Sequence, residues 1–237
     1  MYETAIDASF IIPVNNESQY KSLEEQLLRK DAFSLFRNIE LIPIRGADSV
    51  FDAWRKGIEH SKYKYLIFTH QDVSFYNIPD LNEIFLDPKV GMVGAMGATR
   101  IFKDKPWCWA EGYGSGRVYA DARNKKVSEI YIHTEAKDSV ANEDKVPPSY
   151  GEVVVLDGIC LITTKDRIEA IGGIPYKDYG KWDMYDNIIC SEFIKHGFKL
   201  LTVPIGIVHH TSGKMRENFY EDCNKFVEEY LKEDMYE

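Results

Sequence analysis

Long apolar runs are missing from this sequence. No stretch of about eighteen consecutive apolar residues occurs, which leaves nothing to cross a bilayer as a helix. The opening MYETAIDASF has neither a basic n-region nor an apolar h-region, so no secretory signal is expected. The expected location is cytoplasmic, with peripheral attachment to the inner membrane face as its nearest variant. Cysteine is scarce as well. Cys108, Cys160, Cys190 and Cys223 are widely spaced and form no Cys-x-x-Cys pair, which excludes a zinc knuckle and, in a reducing compartment, a disulfide framework. Basic residues are in deficit, 29 against 38 acidic for a net charge of -9, which excludes a binder of nucleic-acid backbone, since that needs a basic surface. A phosphorylated ligand would here depend on a metal ion or a few local cations for positive charge.

What is present is enough for a large core. Apolar residues make up 44% and aromatics 13% of the 237 residues, a composition that excludes disorder and suits a single α/β domain. Strand and helix alternate through the first half. SFIIPV (9–14), IELIPI (39–44) and KYLIFT (64–69) read as buried strands; SQYKSLEEQLLRK (18–30), opened by Ser18, and DSVFDAWRKGIEH (48–60), capped by Asp48, read as helices. This βαβαβ order predicts a doubly wound, mostly parallel sheet with helices on both faces. A glycine-spaced strand follows at 90–98, then irregular chain from 99 to 150, of a length that suits lids and binding loops. VVVLDGICLIT (153–163) restores a strand pair about Asp157-Gly158, with helices expected at 164–171, 184–196 and 215–231 and one strand at 199–210. The acidic last helix, with Glu221, Asp222, Glu228 and Glu229, reads as a solvated face. No internal repeat is present.

YLIFTHQDVSF (65–75) begins as a buried strand and ends in a hydroxyl, an imidazole, an amide and a carboxylate, Thr69 to Asp72. Such groups at the edge of a core need partners. With FIIPVNNE, RGADS, HQDV, GMVGAMGA, PWCW, LDG, WDMYD and HHTSG in this order, the chain resembles nucleotide-sugar-dependent glycosyltransferases of the GT-A fold. It is most similar to a bacterial family 2-like branch whose metal motif is His-Gln-Asp-Val in place of Asp-x-Asp. The resemblance implies a Rossmann-like three-layer α/β/α sandwich in one unit, with a nucleotide-sugar half (1–98), an acceptor and catalytic half (99–213) and a C-terminal helix (214–237).

It also implies roles. Pro13, Asn15 and Glu17 would lie against the base and ribose of a UDP- or other NDP-sugar, where the bland alternative is an Asn-rich turn. Arg45, Ala47 and Asp48 would make a second nucleotide contact, although Asp48 also serves as a helix cap. Arg55 stands where the wider family carries asparagine, and both a phosphate contact and a place on the helix exterior are open to it. His70 and Asp72, at alternate positions beside Gln71, face the same side of an extended chain and can converge on one Mn²⁺ or Mg²⁺. A histidine after the last core strand would complete that site. The pattern His-x-Thr-x-Gly selects His209, whereas the interval from Pro204 selects His210. Asp186 falls at the family's catalytic base, with an ordinary helix-opening acid as the alternative. Asp157 and Gly158 would meet donor sugar and acceptor, joined on the acceptor side by Trp182 and Asp183 and by Trp107 and Trp109, whose planes suit a sugar face. The implied activity is sugar transfer, with inversion, to a carbohydrate or lipid-linked acceptor of surface polysaccharide synthesis, or else to a small metabolite. A nucleotidyltransferase would show a basic glycine-rich loop after its first strand, which PVNNES lacks. The other alternative is a non-catalytic nucleotide- or sugar-binding module in which His70 marks a degraded metal site.

Overall fold

The computed structural model describes residues 6–29, 36–106, 113–116, 118–121, 130–132, 150–210 and 216–231. Trp107, Trp109 and most of the stretch expected to form lids lie outside them. In chain order the elements are β1 (Ile6–Val14), α1 (Glu17–Leu27), β2 (Phe36–Arg45), α2 (Val50–His60), β3 (Tyr65–Thr69), β4 (Val73–Asn77), α3 (Leu81–Ile84), β5 (Val90–Gly94) and β6 (Met96–Ala98). There follow β7 (Gly114–Gly116), β8 (Tyr119–Asp121), β9 (Ile130–Ile132), β10 (Gly151–Val153), β11 (Val155–Leu156) and β12 (Cys160–Thr164). The chain continues through α4 (Lys165–Ala170), α5 (Tyr185–Lys195), β13 (Lys199–Thr202), β14 (Gly206–His209) and α6 (Phe219–Tyr230). Among the described residues no helix is long and apolar enough to cross a membrane.

Seven strands form the central sheet in the order β10-β13-β5-β12-β3-β1-β2. β1 runs parallel to β2 and β3, and β13 to β5. β12 inserts antiparallel between β3 and β5, and β10 is antiparallel at the edge. The sheet is therefore mixed, its parallel part divided by β12. Alternate side chains of the same strands feed two cores. Ile11, Leu66, Phe68 and Leu161 pack with Trp54 of α2, Phe193 of α5 and Phe226 of α6. Phe10, Ile12, Ile67 and Ile162 pack with Tyr20 and Leu23 of α1 and Leu81 of α3. Burial on both faces explains why these strands are continuously apolar, and it produces the three-layer sandwich.

Several boundaries differ from the sequence reading for local reasons. Asn16, not Ser18, caps α1, its side chain accepting from the Ser18 and Gln19 N–H groups. Ser49, not Asp48, caps α2 by accepting from the Asp52 N–H. The strands on either side of Asp157-Gly158 do not pair with each other. β11 joins β6 and β7 in a three-stranded sheet, while β12 lies in the central one. The single strand expected at 199–210 is two, interrupted around Pro204, which has no N–H for a ladder. Its second part, β14, pairs antiparallel with β4 in a four-stranded accessory sheet. That pairing sets the geometry of the site.

Candidate active site

The carboxyl ends of β1 and β3 open into a cleft of about 1110 Å³. α1 and α2 leave from neighbouring strand ends here, the crevice where open α/β sheets bind ligands. Gln71 ties the two ends together: its Oε1 accepts from the Asn15 and Asn16 N–H groups, each at 2.9 Å, and its amide donates to Asn15 Oδ1. Gln71 is buried, so its amide holds the loop after β1 in place.

Asp72 follows directly, and β4 begins at the next residue. β14 returns alongside β4 with His209 opposite Val73, which carries the His209 ring to the Asp72 carboxylate, Nε2 to Oδ2 at 3.3 Å. His70 approaches from the other side, Nδ1 to Asp72 Oδ1 at 3.9 Å. One ligand atom from each of His70, Asp72 and His209 lies within 4.8 Å of the others. Two imidazoles and a carboxylate at this separation fit a single divalent first-row cation. Burial, and then the neighbouring His209, push the His70 imidazole down to about 4 against the opposing pull of Asp72, so at neutral pH it is uncharged and has a lone pair to offer. His210 points elsewhere: its Nε2 meets Ser74 Oγ at 2.7 Å on the exposed side, and its backbone N–H donates to the Asp72 carbonyl.

The opposite wall comes from α5, α6 and the segment between α4 and α5. Trp182, Asp183, Tyr185, Asp178, Tyr179 and Lys181 line it with Arg216, Asn218, Glu221, Asp222 and Lys225. Arg216 lies over the Trp182 ring, 5.3 Å from its centre. Glu221 and Asp222 thus lie on the part of the acidic face that borders the cleft, Glu221 remaining exposed. α6 is anchored there by Tyr230, which donates to Glu192, by Lys195 Nζ 3.9 Å from the Tyr230 ring centre, and by Tyr179 Oη donating to Glu229 at 2.6 Å. Burial raises the carboxyls of Asp183 and Asp222, against nearby Arg216 and Lys225 respectively.

Asp186 sits in the first turn of α5 and does not line the cleft itself. Its carboxylate accepts from the Gly158 N–H at 3.2 Å and the Asn187 N–H at 2.9 Å, and Gly158 does line the cleft. Burial, and then the charge of Asp157, raise Asp186 to about 7, against the two N–H groups. Asp157 accepts from the Ile159 N–H across its own turn.

Of the residues singled out in the sequence, Pro13, Asn15, His70, Gln71, Asp72, Gly158, Trp182, Asp183 and His209 line this cleft. Glu17 and Arg45 form an exposed bidentate pair, and Ala47 and Asp48 flank the start of α2; none of the four lines it. Arg55 is turned away as well, its guanidinium donating to the Pro175 carbonyl and lying over Tyr176. Sequence reasoning missed Tyr185, whose hydroxyl meets His70 Nε2 at 2.7 Å. The signal for it was an aromatic residue inside the quoted WDMYD stretch.

The sequence model of a family described as "Glycosyltransferase like family" matches residues 9–230. No curated protein matches the sequence. Among solved structures the chain is similar to the mannosyltransferase PcManGT from Pyrobaculum calidifontis in complex with GDP-Man and Mn²⁺, at 12% identity and a TM-score of 0.51, over 96% of this chain and 62% of that one. It is also similar to GalNAc-T7 with UDP, GalNAc and Mn²⁺, at 12% identity and a TM-score of 0.53, over 96% of this chain and 49% of that one. The chain thus spans about half to three fifths of these two proteins. At such identities the likeness establishes the fold, the α/β architecture with a mixed central sheet shared by GT-A enzymes.

Proposed function

The chain belongs to this glycosyltransferase-like family, and from that premise we propose that it transfers a sugar from a nucleoside-diphosphate donor to an acceptor hydroxyl, with inversion. Mn²⁺ would be held by His70, Asp72 and His209, a donor set with two imidazoles that suits it better than Mg²⁺. The observation that carries the reading is the meeting of these three side chains in the cleft that the loop after β1 also lines. Support for the donor class comes from the two similar structures, one in complex with GDP-Man and Mn²⁺, the other with UDP, GalNAc and Mn²⁺. When bound, the ion would neutralise charge on the departing diphosphate.

The chain's own groups do the rest. Pro13 and Asn15, fixed by Gln71, hold the nucleoside in the half formed by residues 1–98. Asp183 and Trp182 face the acceptor, a carbohydrate or lipid-linked precursor, from the opposite wall. Asp186 is assigned the proton of the acceptor hydroxyl: it does not line the cleft itself, but its carboxylate is bonded to the N–H of Gly158, which does, so the acceptor must reach it past that residue. A carboxylate raised to about 7 is matched to that task, since a general base works best with a pKa near the operating pH.

A thermal-shift panel of nucleotide sugars with and without Mn²⁺ tests the reading. A ligand at about 100 times its dissociation constant adds roughly 2.7 kcal/mol, and each kcal/mol moves the midpoint of a chain this long by about 2–4 °C. A midpoint that no nucleoside diphosphate or nucleotide sugar moves, with any divalent ion, overturns it.

A further inference from the structure

His70 has two ring nitrogens with different surroundings. Nδ1 faces the Asp72 carboxylate at 3.9 Å, whereas Nε2 lies 2.7 Å from Tyr185 Oη. A neutral imidazole carries one proton, and only its bare nitrogen can bind a cation. We propose that Tyr185 is a positioning residue: its hydroxyl accepts the His70 Nε2–H, which leaves Nδ1 bare and directed at the ion site beside Asp72. The inference rests on the metal-site reading of His70, Asp72 and His209 given above. In the other tautomer Tyr185 would donate to Nε2, the proton would sit on Nδ1, and His70 would contribute no ligand.

The hydroxyl oxygen is held in place beside His70 Nε2. Tyr185 is only 7% exposed, and its ring meets Trp54 edge-on at 5.6 Å between centres. The hydroxyl occupies space that a side chain at residue 158 would need, since a Cβ on Gly158 would lie 2.3 Å from it. The backbone leading into α5 turns through Met184 in the left-handed region at φ 57°, a conformation that non-glycine residues seldom adopt, and this turn delivers Tyr185 to the cleft. Histidine ligands are commonly oriented in this way by a hydrogen bond to the nitrogen that does not bind the metal.

The test compares Mn²⁺ binding to the parent chain and to Tyr185→Phe by calorimetry, without donor or acceptor. The Phe variant keeps the ring and its packing, so its thermal midpoint in chelator should stay close to the parent's. Its Mn²⁺ dissociation constant should rise by about 10–100-fold, the range seen when such a supporting partner is removed. Equal dissociation constants would overturn the positioning role while leaving the metal site standing, and a parent that binds no Mn²⁺ would remove both. Long-range ¹H–¹⁵N spectra of the parent in chelator give an independent reading: His70 protonated at Nε2 is expected, and protonation at Nδ1 overturns the proposal even if the Phe variant fails to fold.

Discussion

Replacing Asp186 by asparagine separates its chemistry from its place in the fold. Burial and the charge of Asp157 raise its pKa from 3.8 to about 7, so between these values the folded chain holds a proton that the unfolded chain releases. Stability therefore falls as pH rises through this window, because the native state binds more protons than the unfolded state. The amide of the variant does not titrate. Between pH 5 and pH 8 the parent should lose about 2.6 kcal/mol through Asp186 alone, most of it below pH 7. The midpoint of Asp186→Asn relative to the parent should accordingly rise by roughly 5–11 °C from pH 5 to pH 8. Any fixed cost of presenting an amide to the Gly158 and Asn187 N–H groups cancels in that difference. Calorimetric scans of both proteins in chelator at the two pH values supply the numbers. A gap in midpoint that is the same at pH 5 and pH 8 would show that Asp186 titrates as an ordinary exposed carboxylate, and would remove the physical basis for assigning it as the base.

In a transfer assay, the parent rate should rise with pH to a plateau above about 7, and Asp186→Asn should slow transfer by roughly 10²–10⁴ with nucleotide binding nearly intact; transfer by the variant at the parent rate would move the base to Asp183 or Asp157. Asp72→Asn should weaken Mn²⁺ binding and donor binding together, since a neutral amide is a poorer ligand for a hard cation; calorimetry with nucleoside diphosphate and Mn²⁺ would show unchanged affinity if Asp72 is no ligand. His209→Ala should cost at least about tenfold in Mn²⁺ affinity, whereas His210→Ala, which removes the contact to Ser74 and lies outside the His70, Asp72 and His209 group, should leave it within about twofold; the reverse order would place the wrong histidine in the site. Gly158→Ala should destabilise the chain by about 1–3 kcal/mol by driving a methyl into the Tyr185 hydroxyl, and a denaturant midpoint equal to the parent's would show that the turn yields freely.

The strands were legible because burial on both faces demands unbroken apolar runs, as in FIIPV and YLIFT. Their neighbours were not. Nothing in CLITT says that it enters the sheet antiparallel between β3 and β5, because pairing partners are chosen by the whole layer. His70 and Asp72 could be grouped from their alternate spacing, but choosing His209 over His210 required the register of β14 on β4. The helix caps shifted because Ser18 lies inside α1, where its N–H donates to the Asn16 side chain, and because Ser49 immediately precedes α2 and accepts from the Asp52 N–H. Arg55 carries no mark in sequence of the Pro175 carbonyl that engages it. Tyr185 reads as an ordinary core aromatic, and only the position of its hydroxyl distinguishes it.

The pairing of β4 with β14 also bears on how the chain is made. Asp72 lies in the first third of the sequence and His209 near its end, so during synthesis the two cannot meet until almost everything between them has left the ribosome. An ion held by His70, Asp72 and His209 would close a very long loop, where such a clip offsets the most chain entropy, and would join segments whose meeting is slow because they are so distant in sequence. Mn²⁺ should thus slow unfolding more than it speeds folding, since the late-meeting strands are poor candidates for the folding nucleus. A cell short of the metal would in that case hold a shorter-lived protein as well as a less active one.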